Sequence, residues 1–164
     1  MRKYFLFIAV IVLLLDRVTK WAVASNIAFR ESVTVIPGCF KLTHVQNAGA
    51  AFGLFAESGA QWKVGALVSF SILALIVVSA LLWKNGHALS TTSIGLSLIL
   101  GGAMGNLWDR MVSGHVVDFL DFYMGNYHWP AFNVADSAIV IGAILLVSEI
   151  VFAKSPSETV NSSS

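Results

Sequence analysis

Residues 101–137 read GGAMGNLWDRMVSGHVVDFLDFYMGNYHWPAFNVADS, and this stretch holds four of the chain's five aspartates, Asp109, Asp118, Asp121 and Asp136. It begins inside one apolar run and ends inside the next. The rest of the chain explains why these acids stand out: of 164 residues, 57% are hydrophobic and only 12% are charged, with a mean hydropathy of +0.78. That balance lies outside the range of soluble domains and points to a membrane protein, whose length fits one domain. A net charge of +1 supplies neither a basic patch nor an acidic tail, so nucleic acid is not an expected partner. Cys39 is the one cysteine. It has no mate for a disulfide or a metal pair and reads as a small apolar residue beside a turn.

Outward from this stretch, the chain divides into four apolar spans at about residues 4–23, 64–83, 90–109 and 131–153. The first is 20 residues long, about 30 Å of helix, enough to cross the hydrocarbon core. Ala22-Val23-Ala24 before Ser25 resembles a signal-peptide cleavage site. Asp16, Arg17 and Lys20, however, place charges between the apolar run and that site, which favours a retained transmembrane helix. Trp21, Trp62, Trp83, Trp108 and Trp129 all fall within a few residues of a proposed span end, where an amphipathic indole prefers to sit. In the loop at 24–63, alternation at Val33 and Val35 and again at Phe40 and Leu42, around Pro37-Gly38, predicts a hairpin. A second loop covers 110–130, and a Ser-rich tail from about 155 to 164 is expected to be disordered. The expected fold is therefore an all-α membrane protein, one domain over 1–164, with four transmembrane helices and a small β-hairpin or sheet element between helices 1 and 2.

In a four-span chain, the end of helix 1, the start of 2, the end of 3 and the start of 4 share one membrane face. Asp16, Lys20, Asn47, Asn106, Asp109, Arg110, Asp118, Asp121, Asn133 and Asp136 all lie on it. Counting Lys and Arg does not decide which compartment that face meets.

An ionised carboxylate near hydrocarbon is costly unless paired, so each acid needs an account. Asp16 and Lys20, spaced i, i+4, form a structural pair on one helix face, and Asp109 beside Arg110 has a pairing group at hand. Asp118 and Asp136 have no Lys or Arg nearby in sequence, and Asp118 sits among apolar residues with His115 as its one cationic neighbour. Brought together, two such carboxyls would share a proton and supply one base and one acid, the equipment for water-mediated peptide hydrolysis. Helix-pairing acids or an ion path are the alternatives, giving a small ion or metal transporter or a non-catalytic helical subunit. A metal reading also exists: His115, Asp118 and Asp121 at i, i+3, i+6 would share a face if their segment were helical, with Asp136 or His128 as a fourth ligand. Gly101, Gly102 and Gly105 lack the strand and Lys-Ser/Thr of a phosphate loop and read as close helix packing. Asn106, Asp109 and Arg110 follow on one face.

At these residues the chain closely resembles the bacterial lipoprotein signal peptidases, the signal peptidase II family of membrane aspartic proteases. The matching blocks are DRVTK at 16–20, NAGAAF at 47–52, GGAMGNLWDR at 101–110, VVDF at 116–119 and FNVADS at 132–137. The resemblance implies an enzyme of the bacterial inner membrane with both termini cytoplasmic and its active site near the periplasmic face, so that the loops at 24–63 and 110–130 are periplasmic. It implies removal of signal peptides from diacylglyceryl-modified prolipoproteins by a cut just before the lipidated Cys. Asp118 and Asp136 then look like the catalytic pair, and Asn47, Asn106, Arg110, Asn133 and Asp109 like supporting or substrate-contacting residues. Asp16 and Lys20 look like a structural pair. No metal or cofactor is expected; the partners are the prolipoprotein and membrane lipid, and the chain is read as a monomer. Arg17 stands where many members have Gln.

Overall fold

The computed structural model of the chain describes residues 2–49, 61–85 and 90–152. The part of the NAGAAF block after Gly49 and the Ser-rich tail lie outside the described residues. The elements run α1 (Arg2–Asn26), β1 (Ser32–Ile36), β2 (Phe40–Asn47), α2 (Gln61–Asn85), α3 (Thr91–Ser113), β3 (Val116–Met124), β4 (Tyr127–His128) and α4 (Val134–Phe152).

Helix α1 shows how these helices sort their faces. Phe5, Ala9, Val12, Asp16, Lys20, Val23 and Ile27 are buried, a stripe at steps of three and four that winds along one side of the helix. Phe7, Leu14, Val18 and Trp21 point outward. Helices α2 and α4 are apolar all round, and Val64–Asn85 and Val134–Phe152 are each long and apolar enough to cross a membrane. Their exposed Phe70, Leu73, Ile76, Ile144, Val147 and Ile150 form the kind of surface that lipid covers. Helices α1 and α3 carry polar groups too, and Asp16, Lys20, Asn106 and Asp109 among them face inward.

Close approach of α3 to its neighbours depends on small residues. A Cβ added at Gly101 would lie 2.5 Å from the Ala9 carbonyl oxygen of α1, and one at Gly105 would lie 2.5 Å from Asp16 Oδ2. Gly102 serves the other side, where a Cβ would come within 2.4 Å of the Ala135 carbonyl oxygen of α4. The Gly101–Gly105 spacing therefore seats α1, while Gly102 seats α4.

The all-α expectation is corrected by a four-stranded antiparallel sheet in the order β1-β2-β3-β4. Its first two strands form the hairpin expected between helices 1 and 2; the other two come from the connection between helices 3 and 4. Gly114 ends α3 at a φ of 74°, and its N–H bonds to the Arg110 carbonyl, a left-handed cap that turns the chain out of the helix. The next residues, VVDFLDFYM, are β-branched and aromatic enough to pair as a strand. They lie against β2 with Asp118 opposite Val45 and Asp121 opposite Lys41. Phe119 buries itself with Val23 and Ile27 at the end of α1, which fixes the sheet onto the helices. Phe122 lies 4.8 Å from Phe40 and 6.0 Å from Phe132, ring centre to ring centre.

Candidate active site

Asp118 comes from β3 and Asp136 from the first turn of α4, and a single asparagine engages both. Asn133 is fully buried. Its Nδ2 donates to Asp118 Oδ1 at 2.7 Å, while its Oδ1 accepts from the Asp136 backbone N–H at 2.9 Å. In return Asp136 Oδ2 accepts from the Asn133 backbone N–H at 3.3 Å. This is a reciprocal capping box in which Asn and Asp stand in for the commoner Ser or Thr and Glu. The start of α4 is thus built from two residues of the site.

The remaining carboxylate oxygens also meet donors. Asn47 Nδ2, at the end of β2, reaches Asp118 Oδ2 at 3.1 Å, and Asn106 Nδ2, on α3, reaches Asp136 Oδ1 at 2.7 Å. Burial pushes the Asp118 carboxyl up to about 6, and the negative charge of Asp136 adds to the rise; the amides of Asn47 and Asn133 and the Lys20 ammonium oppose it. Asp118, whose ionisation the charge of Asp136 opposes, and Asp136, each held by amide donors, are placed as a pair of acids able to share one proton.

Behind them lies an ionic layer. Lys20 donates to Asp16 Oδ2 at 2.7 Å and to Asn106 Oδ1 at 3.0 Å. Its ammonium is also 2.7 Å from Asp109 Oδ2, an ion pair without hydrogen-bond alignment. Arg17 pairs with the other oxygen of Asp109. Asp16 Oδ1 accepts from the Ala135 N–H at 3.0 Å, tying α1 to the start of α4. Asp109 therefore faces α1 rather than pairing with Arg110, whose Nη1 donates to the Asn106 carbonyl at 3.3 Å. The Arg110 Nε is buried and has no partner among the described residues.

The comparisons with known proteins bear on this site. Residues 8–152 match the family described as Signal peptidase (SPase) II. The chain belongs to the signal peptidase II family. It is 46% identical over 144 residues to the lipoprotein signal peptidase of Solibacter usitatus, covering 87% of each chain. It is 45% identical over 149 residues to that of Desulforapulum autotrophicum, covering 91% of this chain and 92% of the relative. Two solved bacterial membrane enzyme structures share its fold. One has a TM-score of 0.82 at 33% identity, covering 95% of this chain and 94% of that one; the other has 0.81 at 34%, covering 93% and 95%. The activity is that of a lipoprotein signal peptidase, an aspartic peptidase that cleaves signal peptides from prolipoproteins. The transporter and subunit alternatives give way to it.

The helical metal face is also overturned. In this peptidase Asp118 and Asp121 lie on a strand, where a spacing of three puts side chains on opposite faces. Asp121 instead meets His128 Nδ1 at 2.9 Å and Lys41 Nζ at 3.4 Å on the sheet. Among the described residues no three His, Cys, Asp or Glu side chains gather to hold a metal ion. A groove of about 350 Å³, lined by Trp129, Phe132, Asp136, Ser137, Val140 and Ile141, brings the apolar flank of α4 to the Asp136 carboxyl.

Local spacing hides three of these contacts: Arg17 with Asp109, Lys20 with Asn106, and Asp16 with the Ala135 N–H. The capping box did leave a local signal, Asn133-Val134-Ala135-Asp136 ahead of an apolar run.

The coupling of the acids has a measurable consequence. Followed by its carboxyl infrared band, Asp118 should hold its proton below about 6 and lose it as pH rises through that value. In Asp136→Asn the nearby negative charge is gone, so the transition should move to lower pH. An unmoved transition would show that the two carboxyls do not interact.

Proposed function

We propose that Asp118 and Asp136 are the catalytic dyad, with Asn47, Asn106 and Asn133 orienting them and Arg110 meeting substrate. The observation that carries this reading is the one buried amide, Asn133, bound to both acids. In the resting enzyme one carboxyl is protonated and the other ionised. The ionised acid takes a proton from water as the water oxygen attacks the scissile carbonyl, and the protonated acid passes its proton to the carbonyl oxygen. The tetrahedral diol then collapses. One hydroxyl proton returns to the acid that gave it, the other acid protonates the amide nitrogen, the C–N bond breaks, and the dyad again holds one proton. The Arg110 Nε, unpartnered among the described residues, supplies a donor for a substrate carbonyl.

The substrate in this reading is a diacylglyceryl-modified prolipoprotein cut just before its lipidated Cys. Its acyl chains remain in the bilayer, so the acids must be reached from the lipid, and the apolar groove ending at Asp136 supports that approach. The four helices cross the bacterial inner membrane with both termini cytoplasmic, and the sheet and the acids lie at the periplasmic side. The enzyme acts as a monomer without metal or cofactor.

The test is cleavage of a lipidated prolipopeptide by the purified chain in detergent made with heavy-oxygen water. One heavy oxygen should appear in the new carboxylate of the released signal peptide, and the other product should begin with the lipidated Cys. A chelator should leave the rate unchanged. Loss of activity on chelation, or a cut elsewhere, would refute the reading.

A further inference from the structure

The ion pair of Lys20 with Asp16 accounts for two charges buried between spans, but not for the third thing Lys20 touches, the neutral side-chain oxygen of Asn106 at 3.0 Å. We propose that Lys20 fixes the direction of the Asn106 amide and thereby decides that Asp136 is the ionised acid of the dyad and Asp118 the protonated one. This rests on the assignment of Asp118 and Asp136 as the dyad.

An ammonium can only donate, so the Asn106 atom that faces it is the oxygen. The amide nitrogen is then committed to the other side, where it donates to Asp136 Oδ1 at 2.7 Å. Turned the other way, Asn106 would set its NH2 against the ammonium and its carbonyl oxygen against a carboxylate, repulsive at both ends. A donor toward Asp136 favours the carboxylate, whereas an acceptor there would favour the protonated acid. The Asn133 N–H on Asp136 Oδ2 and the peptide dipoles at the start of α4 act in the same direction. Asn133 is oriented by a similar rule: the Asp136 backbone N–H holds its oxygen, so its NH2 faces Asp118.

The surroundings hold Lys20 in this task. It is 2% exposed and Asp16 is 0% exposed. Asp16, Asp109, Lys20 and Arg17 together balance their charges, so the cluster carries no net charge. Burying ions in this way gives little stability over an apolar contact. What an apolar contact could not do is tell one end of an amide from the other. Lys20 is therefore a positioning residue, acting through Asn106.

The charged groups around Asp136 are Asp118 from β3, Arg110 from α3 and, behind Asn106, Lys20 from α1 with Asp16 and Asp109. The test is the pH dependence of prolipopeptide cleavage by the full chain in detergent. In Lys20→Met, kcat should fall about tenfold or more, KM should change by less than about threefold, and the acidic limb should move up by on the order of one pH unit. In the charge-balanced Asp109→Asn background, adding Lys20→Met to Asn106→Leu should cost nothing further in kcat, whereas a purely structural lysine would add its own loss. Because Lys20→Met leaves buried Asp16 without its cation and Asp109 with Arg17 alone, the charge-balanced Asp109→Asn/Lys20→Met pair is read beside it, against Asp109→Asn alone. Asn106→Asp keeps Lys20 paired while turning a carboxylate toward Asp136, and it should raise the acidic limb further. A folded charge-balanced variant, or Asn106→Asp, with the wild-type acidic limb and kcat would overturn the proposal. If that happens while Asp136→Asn is inactive, the dyad stands and only the role of Lys20 falls; an active Asp136→Asn would instead remove the dyad itself.

Discussion

Asp136→Asn is expected to lower kcat for prolipoprotein cleavage by about a thousandfold or more, with KM little changed, because an amide cannot take a proton from the attacking water. The substitution is informative because it spares the scaffold. An asparagine side-chain oxygen can still accept from the Asn133 N–H that Asp136 Oδ2 holds at 3.3 Å, so α4 keeps its cap. Thermal unfolding in detergent should stay within a few degrees of wild type, on the order of 1 kcal/mol. Asp118→Asn should be as damaging, since the diol cannot form without its proton. The double variant should be no worse than either single one, as expected for groups acting in one step. Asp121→Asn is the comparison: its partners are Lys41 and His128, and most activity should survive. Wild-type rates in Asp136→Asn or Asp118→Asn would sink the assignment, and silence in Asp121→Asn would mean the pair is incomplete.

The second large effect is expected from a single methyl group. In Gly102→Ala the new Cβ would lie 2.4 Å from the Ala135 carbonyl oxygen and 2.9 Å from Ile139 Cγ1. Neither neighbour is a flexible tip, so α3 and α4 must separate. Overpacking of this kind costs about 1–3 kcal/mol. The displaced residue stands between Asn133 and Asp136, and its N–H is bound to Asp16. A shift of about 1 Å there should reduce activity about a hundredfold without touching a reacting group. Gly65→Ala is the control: its Cβ would meet nothing within 4 Å, and stability should change by less than about 1 kcal/mol. Unchanged cleavage in folded Gly102→Ala would show that the site tolerates looser seating of α4.

How far residue order discloses this arrangement differs from element to element. The helices are legible because lipid imposes a simple rule, apolar outward, and α1 follows it at Phe7, Leu14, Val18 and Trp21. The acids are legible for the complementary reason, since charge in such a chain needs a purpose. Strand β3 is not. Asp118 and Asp121 are three apart, which on a helix would put them together, and only pairing with β2 and the cap at Gly114 make the segment extended. The ionic layer is hidden as well, because Lys20 and Asn106 are 86 residues apart and Arg17 and Asp109 are 92 apart. No local period connects such pairs. The capping box at Asn133 and Asp136 could be read locally, but its residues serve two purposes at once.

That double use has a consequence for biosynthesis. Chains emerge N-terminus first, and Asn133 and Asp136 arrive with the last helix. Until then Asp118 lacks Asn133, one of the two asparagines that hold it, and the acid proposed to share its proton. With Asp118 and Asp136 as the proposed dyad, a ribosome-bound or truncated chain ending before residue 133 should show no prolipoprotein cleavage. On that assignment the last helix arms the enzyme as it completes the fold, and unfinished copies should be unable to cut the membrane proteins around them.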